Sequence, residues 1–290
     1  SPLPFKGKNK IAVIFAQGEI HSGHSGGKSF FGSEIMGSDT ISKYIRYARK
    51  NKFVKGVVLR VDSPGGSPFA SDIIRHEAEL LMKEKPLIIS MSDTAASGGY
   101  MISLSSSKIF ALPQTATGSI GVYGGKFVLK GLYDKVGISK EVIKTSKYAN
   151  MFSDYRAFNT EEREKYKSVM EDIYTLFINE ASKGRKIPVD ELKKVAQGRV
   201  WSGFRAKSIK LIDEYGGLND AVNEAIKMAE FDKSKGIGVT IYPRAKSLFD
   251  YIIDILGSGN SSLASIMSSG IEKYKNFFPA MILPFQLVIE

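Results

Sequence analysis

The chain contains no cysteine. That excludes a disulfide framework, a thiolate nucleophile and a Cys-ligated zinc. Its histidines number three, which is few for a metal enzyme. They are His21, His24 and His76, two in a Gly/Ser-rich stretch and one within a helical pattern. No apolar run reaches the roughly 20 residues a spanning helix needs. The nearest candidate, 277–289, is broken by Pro279 and Pro284. The opening SPLPFKGKNK has neither an apolar h-region nor a small-residue cleavage site, so no signal peptide is predicted.

What is present is ordinary globular material. Of 290 residues, 43% are hydrophobic and 24% charged, enough for one large domain or two modest ones. The net charge of +11 invites a nucleic-acid reading, but the basic residues are scattered. The densest stretch, 183–194, also holds Asp190 and Glu191. A solvated, lysine-rich surface is therefore expected, with no nucleic-acid partner.

Hydrophobic periodicity gives the architecture. Short β-branched runs at 10–16 (KIAVIFA), 54–61 (VKGVVLRV), 86–92 (PLIISMS) and 108–111 (KIFA) predict buried strands, and 136–143 resembles them. Helical patterns at 38–50, 71–83 and 100–105 fall between the first four. Residues 17–36 have the composition of a flexible loop. Strands alternating with helices over the first 145 residues predict an α/β fold with a mostly parallel sheet. The pattern then turns helical: 160–182 with Thr160 as cap and an apolar stripe of Tyr166, Val169, Met170, Ile173 and Phe177, then 188–196, 203–208 and 218–229. A last strand is predicted at 239–242, and 258–269 reads as a mobile Ser/Gly segment before an apolar tail.

Two segments carry chemistry. Asp62-Ser63-Pro64-Gly65-Gly66-Ser67 follows a strand and precedes a helix, so its amides can face an oxyanion or a phosphate, or it can simply be a tight turn. Ala95-Ala96-Ser97-Gly98-Gly99-Tyr100 puts a serine among small residues at a second strand-to-helix turn. Its logic is that of a nucleophile elbow, although G-x-S-x-G is not matched, and an N-cap serine is the plainer alternative. Both turns open at the carboxyl edge of the same sheet, where α/β sites lie. A serine nucleophile needs a base. No histidine has a carboxylate partner evident in the sequence, and a desolvated lysine is the alternative base. At pH 7 roughly one free lysine in 2500 is neutral, so burial must lower its pKa. Lys144 and Lys147 are candidates by position.

The segments LRVDSPGGS, MSDTAASGGYMIS, TATGSIGVYGG and QGRVWSGFRAKSIKLIDEYGGLNDAV, in this order, resemble the signal peptide peptidase A family of serine peptidases, the S49 group. The resemblance spans about 10–229. It implies a ClpP/crotonase-like spiral of ββα units with helical extensions. It divides the chain into a peptidase-like domain at 1–230 and an extension at 231–290 with a strand and an apolar helical tail. It implies Ser97 as nucleophile, a lysine as general base and an oxyanion hole from the amides of Gly65, Gly66 and Gly98. No metal or cofactor is implied. Substrates would be cleaved signal peptides and other extended peptides, handled by a homo-oligomer of four or more subunits.

The family has short forms and long tandem forms, and this chain is most similar to the C-terminal half of the long ones. The lysine of the short forms falls on Ala149, two residues past Lys147. The base is thus either Lys147 after a local shift or a lysine from another half or subunit. The resemblance also implies a membrane anchor outside this chain, on the extracytoplasmic side, with the chain alone soluble. Two other functions compete: a non-catalytic peptide-binding or scaffolding half, and a crotonase-type acyl-CoA enzyme.

Overall fold

A computed structural model describes residues 9–29, 32–230 and 236–243. The predicted Ser/Gly segment and apolar tail lie outside them. The predicted strands form the centre of one sheet: β1 (Asn9–Gln17), β4 (Val54–Ser63), β5 (Leu87–Ala96) and β6 (Lys108–Ala111). They lie side by side in that order, all parallel. β10 (Ile237–Tyr242) adds in parallel to the outer edge of β1, and β9 (Glu214–Tyr215) to β6. The body that contains the sheet thus runs on to Pro243 and includes the strand assigned by sequence to the extension.

The strand runs are hydrophobic because both faces are covered. Val57, Leu59 and Val61 of β4 face the main core, while Val58 faces a smaller one. Ala12, Ile14 and Ala16 of β1 share the first face, Ile11 and Val13 the second. Two crossover helices cover the main face: α1 (Ser38–Lys50) through Ile41, Ile45 and Ala48, and α2 (Pro68–Met82) through Ala70, Ile74, Ala78 and Leu81. The other face is closed by α8 (Leu218–Met228) through Ala221, Val222 and Ala225.

Three expectations need correction. Residues 17–36 include two short parallel strands, β2 (Glu19–His21) and β3 (Ile35–Gly37). Residues 136–143 form no strand; they follow a short helix, α4 (Lys130–Lys135), and lie exposed away from any sheet edge. The long helix α5 (Thr160–Arg185) is capped by Asn159, not Thr160. The Asn159 side chain accepts from the Glu162 N–H at 2.8 Å, and the Asn159 N–H donates to the Glu162 carboxylate at 3.0 Å. This reciprocal box satisfies two otherwise free donors of the first turn.

The two halves of α5 differ. Its C-terminal half buries Phe177, Ile178 and Ala181 in the main core. Arg75 of α2 reaches Glu180 at 2.8 Å and ties the helices together. The N-terminal half leaves Val169 exposed and meets 121–159 through Tyr166, which packs on Phe152 and Phe158, while Tyr123, Phe127 and Ile143 of that segment face outward.

Candidate active site

The site is built where β4 and β5 end. At Ser97 the chain leaves β5 and enters α3 (Gly98–Met101) with φ 51° and ψ −120°. A side chain at positive φ costs on the order of 1–3 kcal/mol, so the surroundings must impose it. They do so through the backbone. The Ser97 N–H donates to the Gly118 carbonyl of β7 (Ala116–Gly118) at 2.9 Å. The Ser97 carbonyl accepts from the Met101 N–H at 2.9 Å. Thr117 next door is buried and donates its hydroxyl to the Ala95 carbonyl at 2.8 Å. Ser97 itself is half-buried, and its hydroxyl makes no hydrogen bond among the described residues.

The Gly65-Gly66 turn lies directly against this bend. Gly65 has φ 109° and Gly66 φ 147°. A Cβ on Gly65 would stand 2.8 Å from both the Gly98 nitrogen and the Ser97 Cβ, so the two turns touch through backbone alone. From behind, β2 clamps the turn: the Ile20 N–H donates to the Gly65 carbonyl at 2.7 Å, and the Ser67 N–H to the Ile20 carbonyl at 2.8 Å. The structure therefore brings Ser97, Gly65, Gly66 and Gly98 together. It also separates their roles. The Gly65 N–H is engaged with the Ser63 hydroxyl at 3.2 Å. The Gly66 and Gly98 N–H groups have no acceptor among the described residues.

Sequence reasoning missed two supports of this geometry, the Gly118 carbonyl and β2. The first had a signal in the small-residue run Thr115–Gly118; three-residue strands such as β2 are too short to give one.

The candidate bases are placed elsewhere. The Lys147 Nζ is exposed and paired with Glu161, which also accepts from the Tyr148 hydroxyl at 2.5 Å. That hydrogen bond to Glu161 pushes the Lys147 pKa up, the opposite of what a general base needs. No hydrogen bond joins Lys147 to Ser97, and Lys144 is exposed as well. Burial lowers the pKa of Lys126, but its Nζ donates to the carbonyls of Met151 at 2.6 Å and Ser153 at 3.0 Å. Burial also lowers that of Lys85, which is fixed to the carbonyls of Ala48 at 2.8 Å and Asn51 at 2.7 Å. Of the histidines, His76 and His24 are exposed. His21 sits on β2 with its Nε2 3.2 Å from Glu19. Among the described residues no group of three or more His, Cys, Asp and Glu side chains could hold a metal ion, and no helix is long and apolar enough to cross a membrane.

A parallel α/β sheet ending in a serine at positive φ, beside two free amides, is the arrangement of a serine hydrolase. Comparison with known proteins narrows the class. The profile described as Peptidase family S49 matches residues 79–232. The "Serine protease SPPA, chloroplastic" of Arabidopsis thaliana is 40% identical over 253 residues, 87% of this chain and 37% of the relative. The "Protease 4" of Haemophilus influenzae is 36% identical over 266 residues, 91% of this chain and 40% of the relative. A shorter protein of Methanocaldococcus jannaschii is 30% identical over 247 residues, 81% of this chain and 79% of its own length. The chain belongs to peptidase family S49, a family of serine-type peptidases with a ClpP-like fold. It spans about two-fifths of the length of the first two relatives.

Proposed function

We propose that this chain is the serine-bearing half of an S49 endopeptidase, and that its base is a lysine from another half or another subunit. The conformation of Ser97 carries the reading: a strained bend with a free hydroxyl beside the free amides of Gly66 and Gly98. In this reading the Ser97 Oγ attacks the scissile carbonyl and passes its proton to a neutral lysine. The oxyanion is held by the Gly66 and Gly98 N–H groups, which point at it before the reaction starts. The ammonium so formed returns the proton to the leaving amine, and water then releases the acyl group from Ser97.

Two observations support a base from outside. Every lysine discussed above is committed to another partner or exposed. The segment that should bring a base, 121–159, presents Tyr123, Phe127 and Ile143 to solvent at 96%, 83% and 93%. Exposed apolar patches of this kind mark interaction sites. A homo-oligomer or tandem arrangement would cover them, and the relatives of more than twice this length are consistent with the second.

The substrates we propose are extended peptides, cleaved signal peptides among them, with the complete protein held at the extracytoplasmic face of a membrane. The family resemblance favours a second reading, a peptide-binding half without catalysis: it places the lysine of the short forms on Ala149 of this chain. A fluorophosphonate probe separates the two. The catalytic reading expects labelling of Ser97 in the assembled protein and at least 1000-fold loss of labelling and peptide hydrolysis in Ser97→Ala. Equal labelling of the variant at another residue would remove Ser97 as nucleophile.

A further inference from the structure

The amino edge of the sheet, opposite to Ser97, carries a cavity of its own. The loop 103–107 leads into β6 there and is pinned at both ends. The buried Ser103 hydroxyl donates to the Gly99 carbonyl at 2.9 Å, and the Ser107 N–H donates to the carbonyl of Leu87, the first residue of β5, at 2.8 Å. The last turn of α5 meets this loop backbone to backbone: a Cβ on Gly184 would stand 2.6 Å from the Leu104 carbonyl. Between the loop, the end of α5 and the end of α2 lies a cavity of about 550 Å³. That is the size of a small-molecule site and more than a bare ion fills.

The polar groups around it divide by sign. Three carboxylates line it, and each is already held. Glu79 accepts from Lys183 at 2.9 Å and from Arg75 at 3.2 Å. Glu180 accepts from Arg75 at 2.8 Å. Asp213 accepts from Arg185 at 2.6 and 3.1 Å and from the Ile109 N–H at 2.7 Å. Several donors are not held. Lys83, just past α2, and Lys186, just past α5, have no carboxylate partner among the described residues. The N–H groups of Ser105 and Ser106 and the hydroxyls of Ser105 and Ser107 make no hydrogen bond among them either. The charge left uncompensated in the lining is therefore positive, and the free backbone groups beside it are donors. Amides and ammonium groups that line one cavity are the complement of an oxyanion with several acceptors.

We propose that this cavity binds the phosphate group of a small phosphomonoester, at a site separate from Ser97. The phosphate oxygens accept from the Ser105 and Ser106 N–H groups and from the Lys83 and Lys186 ammonium groups. The organic part of the ligand lies toward Met82 and Leu104, the apolar members of the lining. A phosphomonoester fits better than a carboxylate because it offers three acceptor oxygens and close to two negative charges at neutral pH, one for each free ammonium. The site takes nothing from the serine, so it stands or falls independently of the peptidase reading.

The test is an NMR titration of the isotope-labelled full chain with phenyl phosphate, at about pH 7.5 and about 0.15 M salt, where weak surface pairing is screened. The Ser105 and Ser106 amide signals are expected to shift and saturate, and phenol should leave them in place. Lys83→Gln and Lys186→Asn are changes at exposed positions, and asparagine tolerates the φ of 54° at position 186. Each should weaken binding about fivefold, and the two together more than tenfold. Ser97→Ala should bind phenyl phosphate as the parent chain does. Flotation with mixed phosphatidylcholine and phosphatidate vesicles separates a soluble ligand from a lipid headgroup, and the chain is expected to stay behind. The absence of a saturable shift at Ser105 and Ser106 overturns the site, and so does equal affinity in the double variant. Flotation that depends on Lys83 and Lys186 overturns the soluble ligand in favour of a lipid headgroup.

Discussion

The sheet body and the 121–159 segment obey opposite rules. In the body, the central strands β1, β4, β5 and β6 are buried on two faces and the Ser97 turn is fixed by main-chain contacts. In the segment, Tyr123, Phe127 and Ile143 face solvent, and order comes from the Phe152, Phe158 and Tyr166 cluster and from local polar links. The Lys140–Asp154 pair at 2.7 Å and the Arg156–Glu162 pair at 2.6 Å are two of them. The body is complete as a fold, whereas the proposed assembly would cover the segment's outward side chains. On the proposed reading, the difference teaches where a shared active site could be divided: the oxyanion donors would be rigid and belong to one body, while the base would arrive on a surface that assembles later.

The comparison can be broken most sharply at Gly65. Gly65→Ala drives a methyl group into the Ser97 Cβ and the Gly98 nitrogen at a φ of 109°. A loss of about 3 kcal/mol in chemical denaturation is expected, with probe labelling lost as well. A variant of wild-type stability would show that the two turns do not touch. Next in size is Ser97→Gly, which relieves the positive φ. It should gain about 1 kcal/mol while losing all labelling, so stability and activity move in opposite directions.

The segment has its own signature in acid. The ion pair with Arg156, and then the Asn159 N–H, hold Glu162 down at about 2, against an ordinary value of 4.5. A depressed carboxyl stabilises the fold fully above its unfolded value and loses that effect as pH falls to the folded one. Amide protection in the first turns of α5, taken relative to the intrinsic exchange rate at each pH, should therefore fall between about pH 4.5 and pH 2, while β4 and β5 stay protected; Glu162→Gln should remove that transition. The smallest effect on stability is expected for Ile143→Ser, below about 0.5 kcal/mol, because the side chain is already in water. The same change should weaken assembly in sedimentation velocity. A large loss of stability with unchanged assembly would mean that Ile143 packs within its own chain.

The body was legible in the sequence because buried parallel strands need continuous β-branched runs, and KIAVIFA and VKGVVLRV supply them. The serine bend was legible because small residues cluster only where backbones must meet. What escaped has physical reasons. β2 is three residues long, and its effect is to clamp Gly65 through hydrogen bonds that any residue could make. Residues 136–143 have strand composition, but propensity without a neighbouring edge to pair with makes no strand. Whether Lys147 could serve as a base was not legible because a pKa is a property of surroundings: in space Lys147 stands beside Glu161, which pushes its pKa up.

The meeting of Gly65 with Gly98 has one practical outcome. On the proposed reading, an inhibitor that mimics the tetrahedral adduct would grip the main-chain nitrogens of Gly66 and Gly98, which persist through every codon change. Resistance at those two points would have to bend the polypeptide itself, and the crowding at Gly65 leaves no room for that. Drug escape would have to come from the proposed assembly surface around Ile143, where side chains, not the chain's own spine, would make the contact.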